Sequence, residues 1–179
     1  DKDMRVAYSG AHDATAFQRA VTLAWTQAQV ELHHLGVGPD EAHLFQRIAN
    51  RIIYSDPTLR PSPEILKRND LGPSALWAHG ISGDLPIVLC RIDDASHLET
   101  ARQLIRAHNY WRMKHLAVDL VIVNERTTSY IQDLQTDLES VVRVNLSRSQ
   151  TEKDGAPGTV FLLRADLLSV EVRTLLQAV

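Results

Sequence analysis

Three short apolar runs, separated by helix-length segments, constrain the fold of this chain more than any other feature of its sequence. They occupy residues 87–92, 118–123 and 160–163, and the first of them is rich in β-branched residues and shows no polar alternation. A strand that is buried on both faces has this composition, because neither face meets water. Strand–helix alternation with short connections predicts parallel pairing through right-handed crossovers. The sequence therefore predicts an α/β fold with a small parallel three-stranded βαβαβα unit in three layers.

Segments with helical periodicity follow these runs. Apolar residues recur at three- and four-residue spacing in residues 98–111 and 130–142, and a terminal helix is expected to begin at Ser169. Ser96 and Glu99 stand three residues apart, as in a capping box, where both side chains satisfy backbone N–H groups at a helix start. We therefore expect Ser96 to cap the first of these helices.

The first third of the chain predicts a helical lead. One amphipathic helix is expected over residues 13–35, and a second from Gly38 to Asp56, which precedes Pro57 and so avoids the helical region. The short gap between them predicts an antiparallel hairpin. A short third helix is expected to start at Ser62. The apolar stripe of the first helix comprises Phe17, Ala20, Val21, Ala24, Trp25, Ala28, Leu32 and Leu35.

Together these patterns predict two parts, a helical lead over residues 1–70 and a Rossmann-like α/β subdomain over residues 71–179. A chain of 179 residues can form one core without a metal or a disulfide, so both parts are expected to make one compact domain. The sequence opens without an initiating methionine, which indicates a piece cut from a longer protein. Residues 69–84 and 147–158 are expected to be loops.

Composition and charge exclude several classes of partner. The 19 basic and 22 acidic residues leave a formal net charge of −3, which argues against nucleic acid, since phosphate binding requires a basic surface. No apolar run approaches the ~18 residues needed to span a bilayer, so no direct membrane contact is expected. The single cysteine, Cys90, lies within an apolar run and is expected to be a buried hydrophobic residue, not a reactive thiol.

No stretch of the sequence carries a complete catalytic or cofactor motif. Segment 80–84 approaches the Gly-x-Ser-x-Gly elbow of hydrolases, but it ends in Asp84 and precedes a strand instead of following one. Segment 36–38 lacks the third glycine of a dinucleotide loop. His33 and His34 are adjacent, so on a helix they point about 100° apart and do not readily chelate one ion. We therefore predict no catalytic residue, no metal and no cofactor.

Polar residues directly follow the first two predicted strands. Asp93 and Asp94 follow the first and Asn124 and Glu125 the second, so all four are expected at the carboxyl ends of parallel strands. Ligands bind at that edge in open α/β sheets, and carboxylates there could perform acid–base chemistry on a sugar. The alternative interpretation is structural, because Asp94 is well placed to cap the following helix. Both interpretations stay open at the level of sequence.

Three stretches are more specific than a generic α/β pattern. They are residues 16–32, residues 76–89 with the string Leu-Trp-Ala-His-Gly-Ile-Ser-Gly-Asp-Leu-Pro, and residues 107–114 with 118–125. In this order they resemble a region of the cyclic β-1,2-glucan synthases of the NdvB type, which are large bacterial membrane proteins. The resemblance covers about residues 8–179, nearly the whole chain.

The resemblance implies a place in a larger enzyme. Such synthases join a membrane-embedded glucosyltransferase, which uses UDP-glucose, to a C-terminal region similar to glycoside phosphorylases that trims the glucan. This chain resembles part of that region, between two β-sandwich modules and ahead of an α-helical barrel, on the cytoplasmic face of the inner membrane. The family's catalytic and phosphate-binding residues lie in the barrel, so the resemblance assigns no catalytic residue here.

Two functions follow from the resemblance. In the first, the chain is a structural spacer that packs against the sandwich and barrel domains and positions them. In the second, it is a module that binds β-1,2-glucan through the loop before the first strand or through the strand ends. The candidate glycan-binding residues are Trp77, His79, Asp84, Asp93, Asp94, Asn124 and Glu125. The spacer is favoured, because most polar residues here have capping or loop explanations.

Overall fold

The computed structural model describes residues 14–54, 57–126, 131–149 and 157–179. The chain divides into two compact units, Asp1–Ala42 and His43–Val179. No helix within the described ranges is long and apolar enough to cross a membrane. The boundary expected after residue 70, and the packing of both predicted parts into one domain, stay predictions.

One long helix, α1 (Ala14–Leu35), accounts for most of the described part of the first unit. It ends where the sequence predicts. Gly36 has a φ of 65°, a left-handed conformation that glycine adopts without strain. Its N–H donates to the His33 carbonyl at 3.0 Å and so satisfies a carbonyl that the helix itself leaves without a donor. In the predicted apolar stripe, Phe17 and Trp25 are both exposed.

The helical lead continues through α2 (Pro39–Ile53), a 3-10 turn (Pro57–Leu59) and α3 (Pro63–Arg68). α2 begins with a proline pre-set for the helical φ, and Asp40 and Glu41 lie near the positive end of the helix dipole. The three predicted helices of the lead are thus confirmed. Their antiparallel pairing stays a prediction, because α1 lies in the first unit and most of α2 in the second.

A parallel three-stranded sheet forms the centre of the second unit, as predicted. Its elements are β1 (Ile87–Ile92), α4 (Leu98–Met113), β2 (Asp119–Asn124), α5 (Ile131–Ser149), β3 (Val160–Arg164) and α6 (Val170–Ala178). The strands lie in the order β1-β2-β3, with Ile87 opposite Asp119 and Leu120 opposite Val160. β2 is buried at every position because a strand flanks it on each side and helices cover both of its faces.

Alternate side chains of the strands enter two cores, one on each face of the sheet. α4 and α5 cover the first core, and α6 with a 3-10 helix (Pro73–His79) covers the second, which confirms the three predicted layers. Cys90 lies in the first core as expected, and burial raises the pKa of its thiol to about 11. The strand residues of the first core include Cys90, Ile92, Leu120 and Ile122, and those of the second include Val121 and Val123.

Two hydrogen bonds fix α2 to the α/β part of the second unit. The indole N–H of Trp111 on α4 donates to the Phe45 carbonyl at 2.9 Å. The side-chain amide of Gln46 donates to the hydroxyl of Tyr110 at 2.9 Å. Phe45 and Trp111 are buried, so these bonds form where water does not compete for them.

The residues just before β2 and just before β3 approach each other very closely. Gly158 has a φ of 136°, and a Cβ at this position would clash with the Val118 carbonyl oxygen, so only glycine fits. The next residue, Thr159, donates its N–H to the carboxylate of Asp119 at 2.9 Å. The buried Asp119 therefore fixes the entry of β3 into the sheet.

Two loop predictions were wrong in part. The stretch 69–84 contains the 3-10 helix Pro73–His79, which the fully buried Leu76 anchors and Gly80 ends with a φ of 76°. α5 runs to Ser149, because the chain offers no glycine or proline to end it sooner, and it overlaps the loop expected from residue 147. Residues 150–156 of that expected loop lie outside the described ranges.

Candidate functional site

The carboxyl ends of the three strands share one edge of the sheet. Parallel pairing places Asn124 opposite Ile92 on one side and Arg164 on the other. All four strand-end residues predicted from the sequence lie at this edge, because they directly follow β1 or end β2. We call it the strand-end rim, and it comprises residues 91–94, 124–126 and 164–166.

An ion pair links the ends of β1 and β2. The Nε of Arg91 donates to a Glu125 carboxylate oxygen at 2.7 Å, and the Glu125 N–H donates to the Ile92 carbonyl at 2.7 Å. The hydrogen bond to Glu125 raises the pKa of Arg91 further above its ordinary value. Because the Arg91 side chain is 52% exposed, solvent screens the pair, which contributes about 0–1 kcal/mol. It nevertheless orients the Glu125 carboxylate towards Arg91.

Asp94 is a helix-capping residue. Its carboxylate accepts a hydrogen bond from the Ser96 N–H at 2.8 Å, at the start of the 3-10 turn Ala95–His97 that leads into α4. This hydrogen bond is the main reason why the pKa of Asp94 is lowered. The prediction of a capping box at Ser96 was wrong, because the turn makes the Ser96 N–H the group that needs a cap. The capping interpretation of Asp94 is confirmed.

Asp93 pairs with the residue four positions along the chain. A carboxylate oxygen lies 2.9 Å from Nδ1 of His97, and both side chains are exposed. The contact is an ion pair only when His97 is protonated. The Asp93 carboxylate is solvent-accessible, since 71% of its side chain is exposed.

Asn124 is buried and tied to α5. Its side-chain N–H donates to the Gln135 amide oxygen at 3.0 Å, and its amide oxygen accepts from the Arg126 N–H at 3.1 Å. Gln135 in turn donates to Glu139 at 3.0 Å. The amide at the end of the central strand thus fixes the backbone after β2 and the position of α5.

Sequence reasoning missed the polar pair that follows β3. Arg164 donates through Nε and Nη2 to both oxygens of Asp166, at 3.1 Å and 2.6 Å, and this pairing lowers the pKa of Asp166. The available signal was positional, because Arg164 ends the third strand just as Asn124 ends the second. The rim therefore carries matched pairs after all three strands.

The other predicted residues precede β1, and they lie in the 3-10 helix Pro73–His79 and in the turn that follows it. Trp77 is 67% exposed, but its indole N–H donates to the Ser82 carbonyl at 3.0 Å. Gly83 has a φ of 78°, and Ser82 accepts a hydrogen bond from the Asp84 N–H at 3.2 Å. His79 is half-buried and Asp84 is exposed. The hydrogen bond to Ser82 orients the Trp77 indole. Trp77 lies before the amino end of β1, whereas the rim lies at the carboxyl end.

The structure also shows a cleft that sequence reasoning missed. It has a volume of about 710 Å³ and lies beside the start of β1, between the end of α2, the segment 59–61, α3 and the end of α6. We call it the β1-edge cleft. Its lining includes Ile48, Ile52, Leu59, Leu66, Ile87 and Leu176, together with Arg51 and Arg60. No sequence pattern could reveal it, because its walls come from distant parts of the chain.

The rim has the chemistry of an internally paired surface. Asp94, Asn124, Glu125 and Asp166 each hold a partner from this chain within 3.1 Å. Within the described ranges, no group of three or more His, Cys, Asp or Glu side chains has the arrangement of a metal site. These contacts give each of the four side chains a structural role in the fold.

The fold and the rim define a small α/β module with a parallel sheet and internally paired strand ends. No protein-family model matches the chain. The chain is 41% identical over 155 residues, which is 87% of its length, to cyclic β-(1,2)-glucan synthase NdvB of Rhizobium meliloti (strain 1021). The match spans 5% of that relative's length. The chain is thus homologous to part of an NdvB-type cyclic β-(1,2)-glucan synthase, and the resemblance seen in its sequence is confirmed.

Proposed function

We propose that this chain is a non-catalytic positioning module of a cyclic β-(1,2)-glucan synthase. The whole synthase transfers glucose from UDP-glucose and processes the glucan through a phosphorylase-like region, as the resemblance implies. The chain packs between β-sandwich modules and a helical barrel of the same polypeptide, on the cytoplasmic face of the inner membrane. The observation that carries the proposal is that a segment homologous to such a synthase has its strand-end carboxylates engaged in its own structure.

The pairing supports a structural role for three of the four predicted rim residues. Asp94 holds the turn before α4, Asn124 holds α5, and Glu125 is directed to Arg91. A general acid or base must instead lie within hydrogen-bond reach of the proton that it transfers. In this proposal these residues stabilise the fold of the module, and the chemistry of the synthase takes place elsewhere in the polypeptide.

Activity of a full-length synthase that carries this sequence tests the proposal. We expect the double variant Asp93→Asn/Glu125→Gln to synthesise cyclic glucan in membrane preparations at essentially the wild-type rate, because neither carboxylate takes part in chemistry. Loss of a general acid or base would instead lower turnover by about 100-fold or more. The amount of synthase in each membrane preparation, measured by immunoblot, is the control. A loss of that size at equal protein would overturn the non-catalytic assignment.

A second candidate function is binding of β-1,2-glucan, and the geometry of Trp77 favours it. An exposed indole whose N–H is already bonded presents a fixed aromatic face, which is suited to stacking on a sugar ring. His79 ends the same 3-10 helix, Asp84 lies in the turn after it, and both would supply polar contacts to the sugar. In this alternative the rim residues with exposed carboxylates, Asp93 above all, would extend the binding surface.

A further inference from the structure

The outer edge of β1 presents main-chain groups that no strand pairs with among the described residues. The Glu125 N–H donates to the Ile92 carbonyl, so the even-numbered residues of β1 direct their main-chain groups to β2. The N–H and C=O groups of Ile87, Leu89 and Arg91 therefore point away from β2. β1 is an edge strand of the sheet in the described part of the chain.

The β1-edge cleft lies beside the start of this edge. Its walls are mainly aliphatic, and two of the wall residues are far from fully covered, since Leu59 is 65% and Leu66 46% exposed. An edge strand next to exposed apolar side chains is a template for pairing with another chain, unless it is covered or charged. The lining contains no aromatic ring on which a sugar could stack.

These two features together specify the chemistry of the ligand. A row of N–H and C=O groups at every second residue is complementary to an extended polypeptide, and an adjacent apolar cleft accepts its alternate side chains. The charged residues of the cleft, Arg51 and Arg60, are both cationic. An acidic side chain on the incoming segment would therefore be attracted to the exposed Arg60.

We propose that an extended segment of the synthase, outside these 179 residues, adds to β1 as a further strand of the sheet. Its apolar side chains fill the β1-edge cleft, and an acidic side chain faces Arg60. This inference rests on the proposed positioning function, because a positioning module must hold other parts of the same polypeptide. The homologous synthase offers ample sequence for such a segment, since the match covers 5% of its length.

Amide hydrogen exchange of the chain alone provides the first test. We expect the N–H groups of Ile87, Leu89 and Arg91 to exchange about tenfold or more faster than those of Val88 and Cys90, which face β2. The alternation is expected because, among the residues that the structure describes, a neighbouring strand pairs with the even-numbered groups alone. Equal protection at odd and even positions would show that the edge is already covered, and it would overturn the proposal.

A peptide scan provides the second test. Overlapping synthetic peptides that tile the complete synthase sequence are probed with the labelled 179-residue chain. We expect peptides from one region, apolar at alternate positions and containing an acidic residue, to bind and to slow exchange at Ile87 and Leu89. Absence of any binding peptide, or binding that leaves these amides unchanged, would contradict the proposal. Dimers of the free chain that protect the same amides would assign the edge to a second copy and also overturn it.

Charge reversal at the cleft separates specific docking from general adhesion. We expect Arg60→Glu to weaken binding of the identified peptide by about tenfold. Lys67→Glu makes the same change at an exposed residue of α3 that does not line the cleft, and it should bind like the wild type. Equal loss in both variants, or in neither, would contradict the predicted role of Arg60.

Failure of the proposed docking site can be distinguished from failure of the proposed function. If Asp93→Asn/Glu125→Gln abolishes glucan synthesis, the non-catalytic assignment fails, whatever the peptide scan shows. If that variant is active but no peptide binds to the β1 edge, the positioning function stands and only this docking site is wrong.

Discussion

At the scale of single residues, His108 has the most unusual environment in the described part of the chain. It is buried on α4, and its Nε2 lies 2.9 Å from the Val118 carbonyl, while Nδ1 has no hydrogen-bond partner. Burial lowers the pKa of His108 to about 4; the hydrogen bond to Val118 opposes this shift, and Arg112 adds to it. His108 is therefore neutral in the folded chain at neutral pH. The three- and four-residue spacing of apolar residues in 98–111 predicts that this position faces inward on α4. No sequence pattern reveals an unpaired ring nitrogen.

The lowered pKa of His108 predicts how stability depends on pH. Between its unfolded value of 6.5 and about 4, the unfolded chain binds the proton more tightly than the folded chain. The contribution is complete above pH 6.5 and is lost as the pH falls through this window, by roughly 3 kcal/mol in all. We expect His108→Gln to remove this part of the pH dependence, measured as the free energy of unfolding in urea at several pH values.

His97→Gln is the matched control for this measurement, because His97 is an exposed histidine of the same unit. In the His97→Gln variant, most of the decrease in the free energy of unfolding between pH 6.5 and pH 4 should remain. If His108→Gln retains the full wild-type pH dependence, the described burial of His108 is wrong.

At the scale of elements, the sequence predicted the regular structure well where burial leaves a periodic pattern. β1 occupies the predicted residues 87–92, and α1 ends at the predicted Leu35, because both have strong local signals. The 3-10 helix Pro73–His79 was missed, because one short helix gives no repeat and its position depends on burial of Leu76. Local pattern therefore determines most elements here, and tertiary contacts determine the rest.

The start of α4 offers an element-scale prediction. Asp94, not Ser96, supplies the side chain that caps the turn before this helix. We therefore expect Asp94→Ala to lower the melting temperature clearly more than Ser96→Ala, since only the first leaves a backbone N–H without its acceptor. Thermal unfolding followed by circular dichroism measures both variants. A larger loss in Ser96→Ala would restore the capping box that the sequence predicted.

For the candidate site, too, local sequence patterns predict the positions of the residues, whereas their partners depend on tertiary contacts. The sequence placed Asp93, Asp94, Asn124 and Glu125 at one edge, because parallel strands end together. It did not give their partners, since Arg91 reaches Glu125 from the neighbouring strand and Gln135 reaches Asn124 from α5. The β1-edge cleft was likewise invisible, because α2, α3 and α6 come together there only in the folded chain.

At the scale of the whole molecule, homology and structure both support the proposed positioning function. The chain is homologous to part of a cyclic β-(1,2)-glucan synthase, and its strand-end carboxylates have structural partners. In the described part of the chain, the outer edge of β1 has no strand partner and lies beside an apolar cleft, as the proposed docking of other polypeptide requires. The fixed aromatic face of Trp77 is the feature that competes with this account, because it suits a sugar equally well.

Titration of the isotope-labelled chain with linear and cyclic β-1,2-glucans, followed by NMR with cellobiose as the control sugar, tests the positioning function most directly. We expect no saturable shifts at millimolar sugar, because the module holds polypeptide and not glycan. Saturable binding that is lost in Trp77→Ala, but retained in Trp25→Ala at another exposed tryptophan, would contradict this account. The chain would then be a glucan-binding module, with Trp77 as its stacking platform.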